Sequence, residues 1–279
     1  MLSYRHAFHA GNFADVLKHS VLSLCLEHLI KKDKPFFYLD THSGAGSYSL
    51  SQSKAQQNQE FQNGISQLWQ LTTFPTELQP YLTAIHALNS GKRLKTYPGS
   101  PLLVKQYLRD QDYMRLYELH PKDHEKLKTL FKKIQHVRIE QSDGFAALKS
   151  ALPPHIKRGI VLIDPSYEVK TDYQTATKQL IEGYKRFNTG TFLLWYPVVQ
   201  RGRVNYMEQQ LRNSKVRNIL QVEHCIAPDT TEHGMTGSGL FIINPPWQLN
   251  SQLATLLPFL QEKLSPQYNR TIHRYLVPE

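Results

Sequence analysis

Cysteine is scarce in this chain: two residues in 279, Cys25 and Cys225. Both sit among apolar neighbours, so reduced buried thiols are expected rather than a disulfide, and a cytoplasmic setting with them. No apolar run approaches the length of a membrane span. Met1-Leu2-Ser3-Tyr4-Arg5-His6 has no apolar signal core. There is no internal repeat and no low-complexity tail. Thirteen histidines are present, yet no HExxH or Cys/His ligand spacing appears, so no metal site is expected. Acids are the minority charge, 23 Asp plus Glu against 33 Lys plus Arg. That imbalance suits a polyanion such as nucleic acid, although ribosomal, membrane-surface and ordinary soluble proteins can share it.

What is present is a folded composition, 40% hydrophobic and 11% aromatic. The length allows one large core, or a core with an insert. Asn12 reads as an N-cap, with Asp15 completing a capping-box-like pair. The helix it starts runs to about Lys32, before Lys34-Pro35 stops it. Phe36 to Asp40 reads as a buried strand, followed by the tight loop Thr41-His-Ser-Gly-Ala-Gly46. Glycines there let backbone approach a ligand. Further strands are expected at Met114 to Glu118, His136 to Glu140, Ile160 to Ile163, Thr191 to Pro197, Asn218 to His224 and Gly239 to Asn244. Intervening helical patterns argue for a mainly parallel sheet covered on both faces. Only a loop, Cys225 to Ser238, joins the last two strands, so these pair antiparallel. Ser100 is expected to cap a helix with Pro101 at its first position.

In a dinucleotide-type fold an acid follows the glycine loop by ~20 residues. Here Gly44 and Glu118 are 74 residues apart, which implies an insert of roughly 50 residues. Residues 47–96 fit it: a Gln-rich stretch, then two short amphipathic helices broken at Pro75. The expected domains are a main one, residues 1–46 and 97–279, with residues 1–12 as a tail over the site, and the helical insert 47–96.

The fourth strand ends in Asp164-Pro165-Ser166-Tyr167. Proline cannot prolong a central strand, so the carboxylate and the ring are presented at a strand end, where α/β folds place their sites. These residues resemble the Asp/Asn-Pro-Pro-aromatic motif of enzymes that methylate exocyclic amines. With the glycine loop and the acids after strands two and three, the chain looks like a Rossmann-like class I S-adenosylmethionine-dependent methyltransferase fold. That implies a seven-stranded sheet with an antiparallel last strand. The opening, Tyr4-Arg-His-Ala-Phe-His-Ala-Gly-Asn-Phe-Ala-Asp-Val-Leu-Lys-His19, is more specific. With Leu39-Asp-Thr-His-Ser-Gly-Ala-Gly46 it closely resembles the bacterial 23S ribosomal RNA large-subunit methyltransferase J family, from Tyr4 to the C-terminus.

The resemblance implies transfer of a methyl group from S-adenosyl-L-methionine to the N6 amine of a flipped-out adenine in 23S rRNA. It implies a donor site of Lys18, His19, His42, Ser100, Glu118, Asp143, Gly144 and Asp164. Glu118 suits the ribose, Asp143 the donor's adenine, and His19 and His42 its methionine end. Asp164, Pro165 and Tyr167 would be catalytic, and Tyr4 would touch the RNA. Two acceptors facing the amine, the Asp164 carboxylate and the Pro165 carbonyl, favour a nitrogen with its lone pair free; Tyr167 can stack on the base.

Ser166 replaces the usual second proline, so a looser but working loop is expected. Asn244-Pro245-Pro246-Trp247 fits the pattern better. It ends an antiparallel strand, however, and so should lie away from the donor. Trp69, Trp195 and Trp247 are expected in the core. Lys92-Arg93-x-Lys95 and Gln200-Arg-Gly-Arg203 can be read either as phosphate contacts or as solvated loops. A cytoplasmic monomer without membrane attachment is expected. The competing functions are a DNA N6-adenine methyltransferase, a non-catalytic RNA-binding protein with a degenerate donor site and, third, a metallohydrolase.

Overall fold

The computed structural model describes residues 5–230 and 234–279, without the side chains of residues 53 and 54. Eight strands form one sheet: β1 Phe37–Asp40, β2 Tyr113–Tyr117, β3 Val137–Glu140, β4 Gly159–Ile163, β5 Thr191–Val198, β6 Ile219–Cys225, β7 Gly237–Ile243 and β8 Arg270–Val277. Their spatial order is β8-β6-β7-β5-β4-β1-β2-β3. The pairs from β3 across to β5 are parallel. Strand β7 is antiparallel to both β5 and β6, and β8 is antiparallel to β6. The sheet is therefore mainly parallel, with one strand more than the seven expected. The extra one, β8, is an edge strand whose Arg270, His273 and Arg274 keep it half-exposed. Charge on an edge blunts further pairing, and it also hides the strand from a search for apolar alternation.

Strand order reverses between β1 and β4, which are neighbours in space but not in sequence. Ligands bind beyond the carboxyl ends of strands at such a switch point. Strand β4 lies at the centre, and all five of its residues are buried. That is why it reads as an aliphatic run without polar alternation.

The N-terminal helix Phe13–Ile30 starts as expected: the Asn12 side chain accepts the Asp15 N–H at 2.9 Å. The reciprocal bond of a capping box is not made. The Asp15 carboxylate instead accepts the Gly11 N–H at 2.9 Å. This helix is buried on nearly all sides rather than on one stripe. The cause is the stretch after β1. An antiparallel ribbon pairs Ser47–Ser49 with Thr96–Pro98. Between its strands lie helices Ser53–Asn58, Ile65–Leu68 and Gln79–His86, with 3₁₀ turns at Glu60–Asn63 and Thr76–Leu78. The two helices expected there are three, and the Gln-rich part supplies one. Phe61, Ile65, Leu78, Tyr81 and Ile85 share a continuous core with Val16, Leu17 and Leu24 of the N-terminal helix. At ~1.5–3 kcal/mol for each large apolar side chain, this burial is enough to hold the added layer in place.

Cys25 and Cys225 are buried and free. Among the described residues no helix is long and apolar enough to cross a membrane. Trp69 is buried as expected. Trp247 is not: it is 78% exposed, because the turn after β7 points it to solvent.

Candidate active site

The carboxyl ends of the parallel strands open into one cavity of about 680 Å³. All the expected site residues that are described line it: Lys18, His19, His42, Ser100, Glu118, Asp143, Gly144, Asp164, Pro165 and Tyr167. Tyr4 lies outside the described residues. Among the described residues no cluster of three or more His, Cys, Asp or Glu could hold a metal ion.

Strand β1 delivers Asp40, which is fully buried. It accepts hydrogen bonds from Ser100 Oγ at 2.6 Å, Tyr38 Oη at 2.9 Å and the His42 N–H at 3.2 Å. Burial outweighs these donors and pushes its carboxyl up to about 6. Ser100 is thus not a helix N-cap. Gly99 holds the cap position of helix Ser100–Lys105, and the hydroxyl goes to Asp40 because a buried carboxyl needs donors. The loop after Asp40 turns through Gly44 and Gly46, both at positive φ. A side chain at Gly44 would collide with the Tyr48 hydroxyl.

Strand β2 leads into Glu118. One of its oxygens accepts the Gly44 N–H at 2.7 Å and the other the His120 N–H at 2.6 Å. Burial raises this carboxyl above its ordinary range, against those two bonds. After β3, Asp143 caps the helix Gly144–Ala151 by accepting the Phe145 N–H at 2.9 Å. Gly144 packs so tightly on the β1 loop that a Cβ would strike the Thr41 carbonyl. Two strand ends are thereby clamped together at the cavity. His42 faces the Phe145 ring edge-on at 5.0 Å. Burial lowers it to about 4, so it is neutral near pH 7. Burial likewise lowers His19 to about 3, and its Nδ1 lies 2.8 Å from the Tyr97 hydroxyl.

Lys18 is the hub. Its Nζ contacts Asp164 Oδ2 at 2.6 Å and Asp15 Oδ1 at 2.9 Å, and lies 5.3 Å from the Trp195 ring centroid. Burial opposes its charge, but the two flanking carboxylates win and raise its pKa. Asp15 also meets His6 Nε2 at 2.9 Å. A contiguous chain His6–Asp15–Lys18–Asp164 therefore joins the N-terminal segment to the end of β4. Among the described residues Asp164 Oδ1 has no hydrogen-bond partner.

Tyr167 has a positive φ of 54°. Its hydroxyl donates to the Trp195 carbonyl at 2.6 Å, and its ring packs at 4.5 Å from Tyr173 and 5.7 Å from Trp195. These contacts hold an unfavourable backbone conformation in place at the cavity wall. Trp195, expected in the core, is half-buried and lines the cavity. His6, Asp15 and Glu60 also line it. His6 meets Asp15 nine residues on and Glu60 meets His9 across 51 residues, so no local pattern marks His6 or Glu60. The only sequence signal was for Asp15, as a capping residue.

Asn244 sits elsewhere, as strand direction requires. Its Nδ2 donates to the Asn188 and Gly190 carbonyls at 2.8 and 3.0 Å, and it does not line the cavity.

Comparison with known proteins identifies the lineage of this site. The family described as "Ribosomal RNA large subunit methyltransferase D, RlmJ" matches residues 33–277. The chain is 50% identical to the ribosomal RNA large subunit methyltransferase J of Escherichia coli, over 95% of each chain. It is 47% identical to the Haemophilus influenzae protein of the same name, over 96% of this chain and 95% of that one. The crystal structure of a Legionella pneumophila protein superimposes with a TM-score of 0.89 at 36% identity, covering 96% of this chain and 98% of that one. The chain belongs to the ribosomal RNA large subunit methyltransferase J family.

Proposed function

We propose that this family member methylates the N6 amine of a flipped-out adenine in 23S ribosomal RNA, with S-adenosyl-L-methionine as donor. The observation that carries the reading is a juxtaposition. Asp164-Pro165, at the end of β4, faces the same cavity as Glu118 and Asp143 at the ends of β2 and β3. In this reading residues 1–46 and 97–279 form the methyltransferase domain and residues 47–96 an inserted helical subdomain. Every group needed comes from one chain, which supports action as a monomer.

The residues present fit the donor. Each Glu118 oxygen spends one acceptor site on a backbone N–H, and a carboxylate has about four. Lone pairs therefore remain for two ribose hydroxyls. Asp143 and the Gly144 backbone suit an adenine edge, while Lys18, His19, His42 and Ser100 lie toward the methionine end. Bound there, the donor supplies an electrophilic sulfonium methyl.

This chain's own residues do the rest. Lys18 holds Asp164 Oδ2 and leaves Oδ1 for one amine N–H; the Pro165 carbonyl accepts the other. An amine so held keeps its lone pair out of the ring and aimed at the methyl group. As the N–C bond forms, the methyl–sulfur bond breaks with its electron pair left on sulfur, S-adenosyl-L-homocysteine is the leaving product, and the surplus amine proton passes to Asp164. Tyr167, fixed by the Trp195 carbonyl, supplies a ring face for the base, a stacking contribution of ~1–3 kcal/mol. Extrusion of the adenine from its stack is required to reach this depth.

The test is a map of N6-methyladenine in 23S rRNA from cells with and without this protein. One site is expected to vanish in its absence and return on complementation. An unchanged map would refute the substrate assignment.

A further inference from the structure

The helix Arg201–Asn213, which follows β5 with Gln200 at its cap position, opens with two arginines of opposite fate, Arg201 and Arg203. Arg201 is spent internally. It donates to Glu223 at 2.9 and 2.8 Å and to Asp229 at 3.1 Å. Arg203 forms no ion pair among the described residues; its guanidinium lies 5.4 Å over the Tyr173 ring. Arg5, Arg109, Arg270 and Arg274 also meet carboxylates, and Arg203 differs from the other arginines without an ion pair by its place over an aromatic ring next to the cavity wall.

Position gives the uncompensated charge its meaning. Tyr173 is buried, donates its hydroxyl to the Pro197 carbonyl at 3.1 Å, and packs 4.5 Å from Tyr167. Pro197 and Val199, at the end of β5 just ahead of the helix that carries Arg203, line the cavity together with Tyr167 and Asp172. Arg203 thus stands on the aromatic wall behind the Tyr167 ring, beside the cavity. A guanidinium over a ring still has donors to offer from its five N–H groups, and its planar fork matches a phosphate in a bidentate manner.

We propose that Arg203 binds a backbone phosphate of the RNA strand that carries the target adenine, next to the flipped nucleotide. This rests on the RNA methyltransferase reading above. Arg203 is a substrate-binding residue and takes no part in the transfer itself. The Tyr173 ring sets the direction of the guanidinium.

The experiment is binding of a 23S rRNA fragment containing the modified adenine, measured without donor across a salt series, alongside steady-state methyl transfer. Arg203→Gln is expected to weaken RNA binding and raise KM for RNA by roughly three- to tenfold. The slope of log Kd against log salt should become shallower by ~0.7–0.9, the loss of one phosphate contact. Arg203→Lys should keep the wild-type slope while losing part of the affinity. The loss should fall on KM for RNA, with KM for the donor as in wild type. Unchanged Kd and unchanged slope in Arg203→Gln would overturn the proposal. So would a loss confined to kcat. The donor-free binding arm reads Arg203 even if the wild-type protein puts no methyl on adenine N6, a result that would refute the function reading alone.

Discussion

Two copies of one short pattern, Asp164-Pro165-Ser166-Tyr167 and Asn244-Pro245-Pro246-Trp247, meet opposite ends in this molecule. The first follows a parallel strand at the switch point, and the second follows the antiparallel β7. At the first, one carboxylate oxygen is held by Lys18 and the other has no hydrogen-bond partner among the described residues, while the ring is 8% exposed and pinned at the cavity wall. At the second, the amide nitrogen closes a turn onto the Asn188 and Gly190 carbonyls, and the ring is 78% exposed. The better match to the pattern spends both donors of its amide on that turn and lies away from the cavity. Strand direction decides which end of the sheet a motif reaches, and its neighbours decide whether polar atoms are left for a substrate.

The comparison breaks first at its polar residue. Asp164→Asn is expected to lower the rate of methyl transfer by ~10²–10⁴, the usual worth of a positioned base. Asn244→Ala should leave the rate within about twofold and instead cost ~1–3 kcal/mol of stability, since carbonyls lose their donors. Steady-state kinetics beside denaturant unfolding separates the two effects. Equal rate losses would end the distinction.

The aromatic residues give the next test. Tyr167→Leu should lower kcat/KM for RNA by about 10- to 100-fold, corresponding to ~1–3 kcal/mol of stacking. Trp247→Leu should do nothing to it.

A third strand end sharpens the contrast, because Asp40 is an acid on the same edge that is buried rather than presented. The unfolded chain releases this proton near 3.8, the folded chain at about 6. Between those values the unfolded state binds fewer protons, so this group makes stability fall as pH rises from about 4 to about 6. Asp40→Asn should remove that part of the slope, seen in denaturant midpoints at about pH 4 and about pH 7. Parallel wild-type and variant profiles would contradict the burial argument.

The smallest effect is expected from making the two motifs alike. Ser166→Pro should stabilise by ~0.4–1 kcal/mol through the unfolded chain. Methyl transfer should change by less than about threefold. A large loss would show that the Tyr167 backbone, at positive φ, needs the freedom of a non-proline neighbour.

Much of the sheet was legible because central strands are aliphatic runs that stop at acids. Asp40, Glu118, Asp143 and Asp164 each mark the end of a strand or the turn beyond it. Strand β8 escaped because its arginines face solvent and partners on β6 rather than a core; Arg274, for example, donates to Gln221 at 2.9 Å. Ser100 was read by the helix it begins, whereas the buried carboxyl 60 residues earlier claims its hydroxyl. Trp195 was read as core from its apolar strand, yet it forms cavity wall because the Lys18 ammonium and Tyr167 pack at it. The links from Lys18 to Asp164, across 146 residues, and from His9 to Glu60 in the stretch after β1 are products of the fold. No local spacing encodes them.

The most direct test of the central claim uses purified protein, 23S rRNA and labelled donor, with wild type, Asp164→Asn and Asn244→Ala compared side by side and N6-methyladenine as readout. N6-methyladenine is expected from wild type and Asn244→Ala at similar rates and to be nearly absent with Asp164→Asn. Full activity in Asp164→Asn, or its loss in a folded Asn244→Ala, would contradict the assignment of the site to the end of β4.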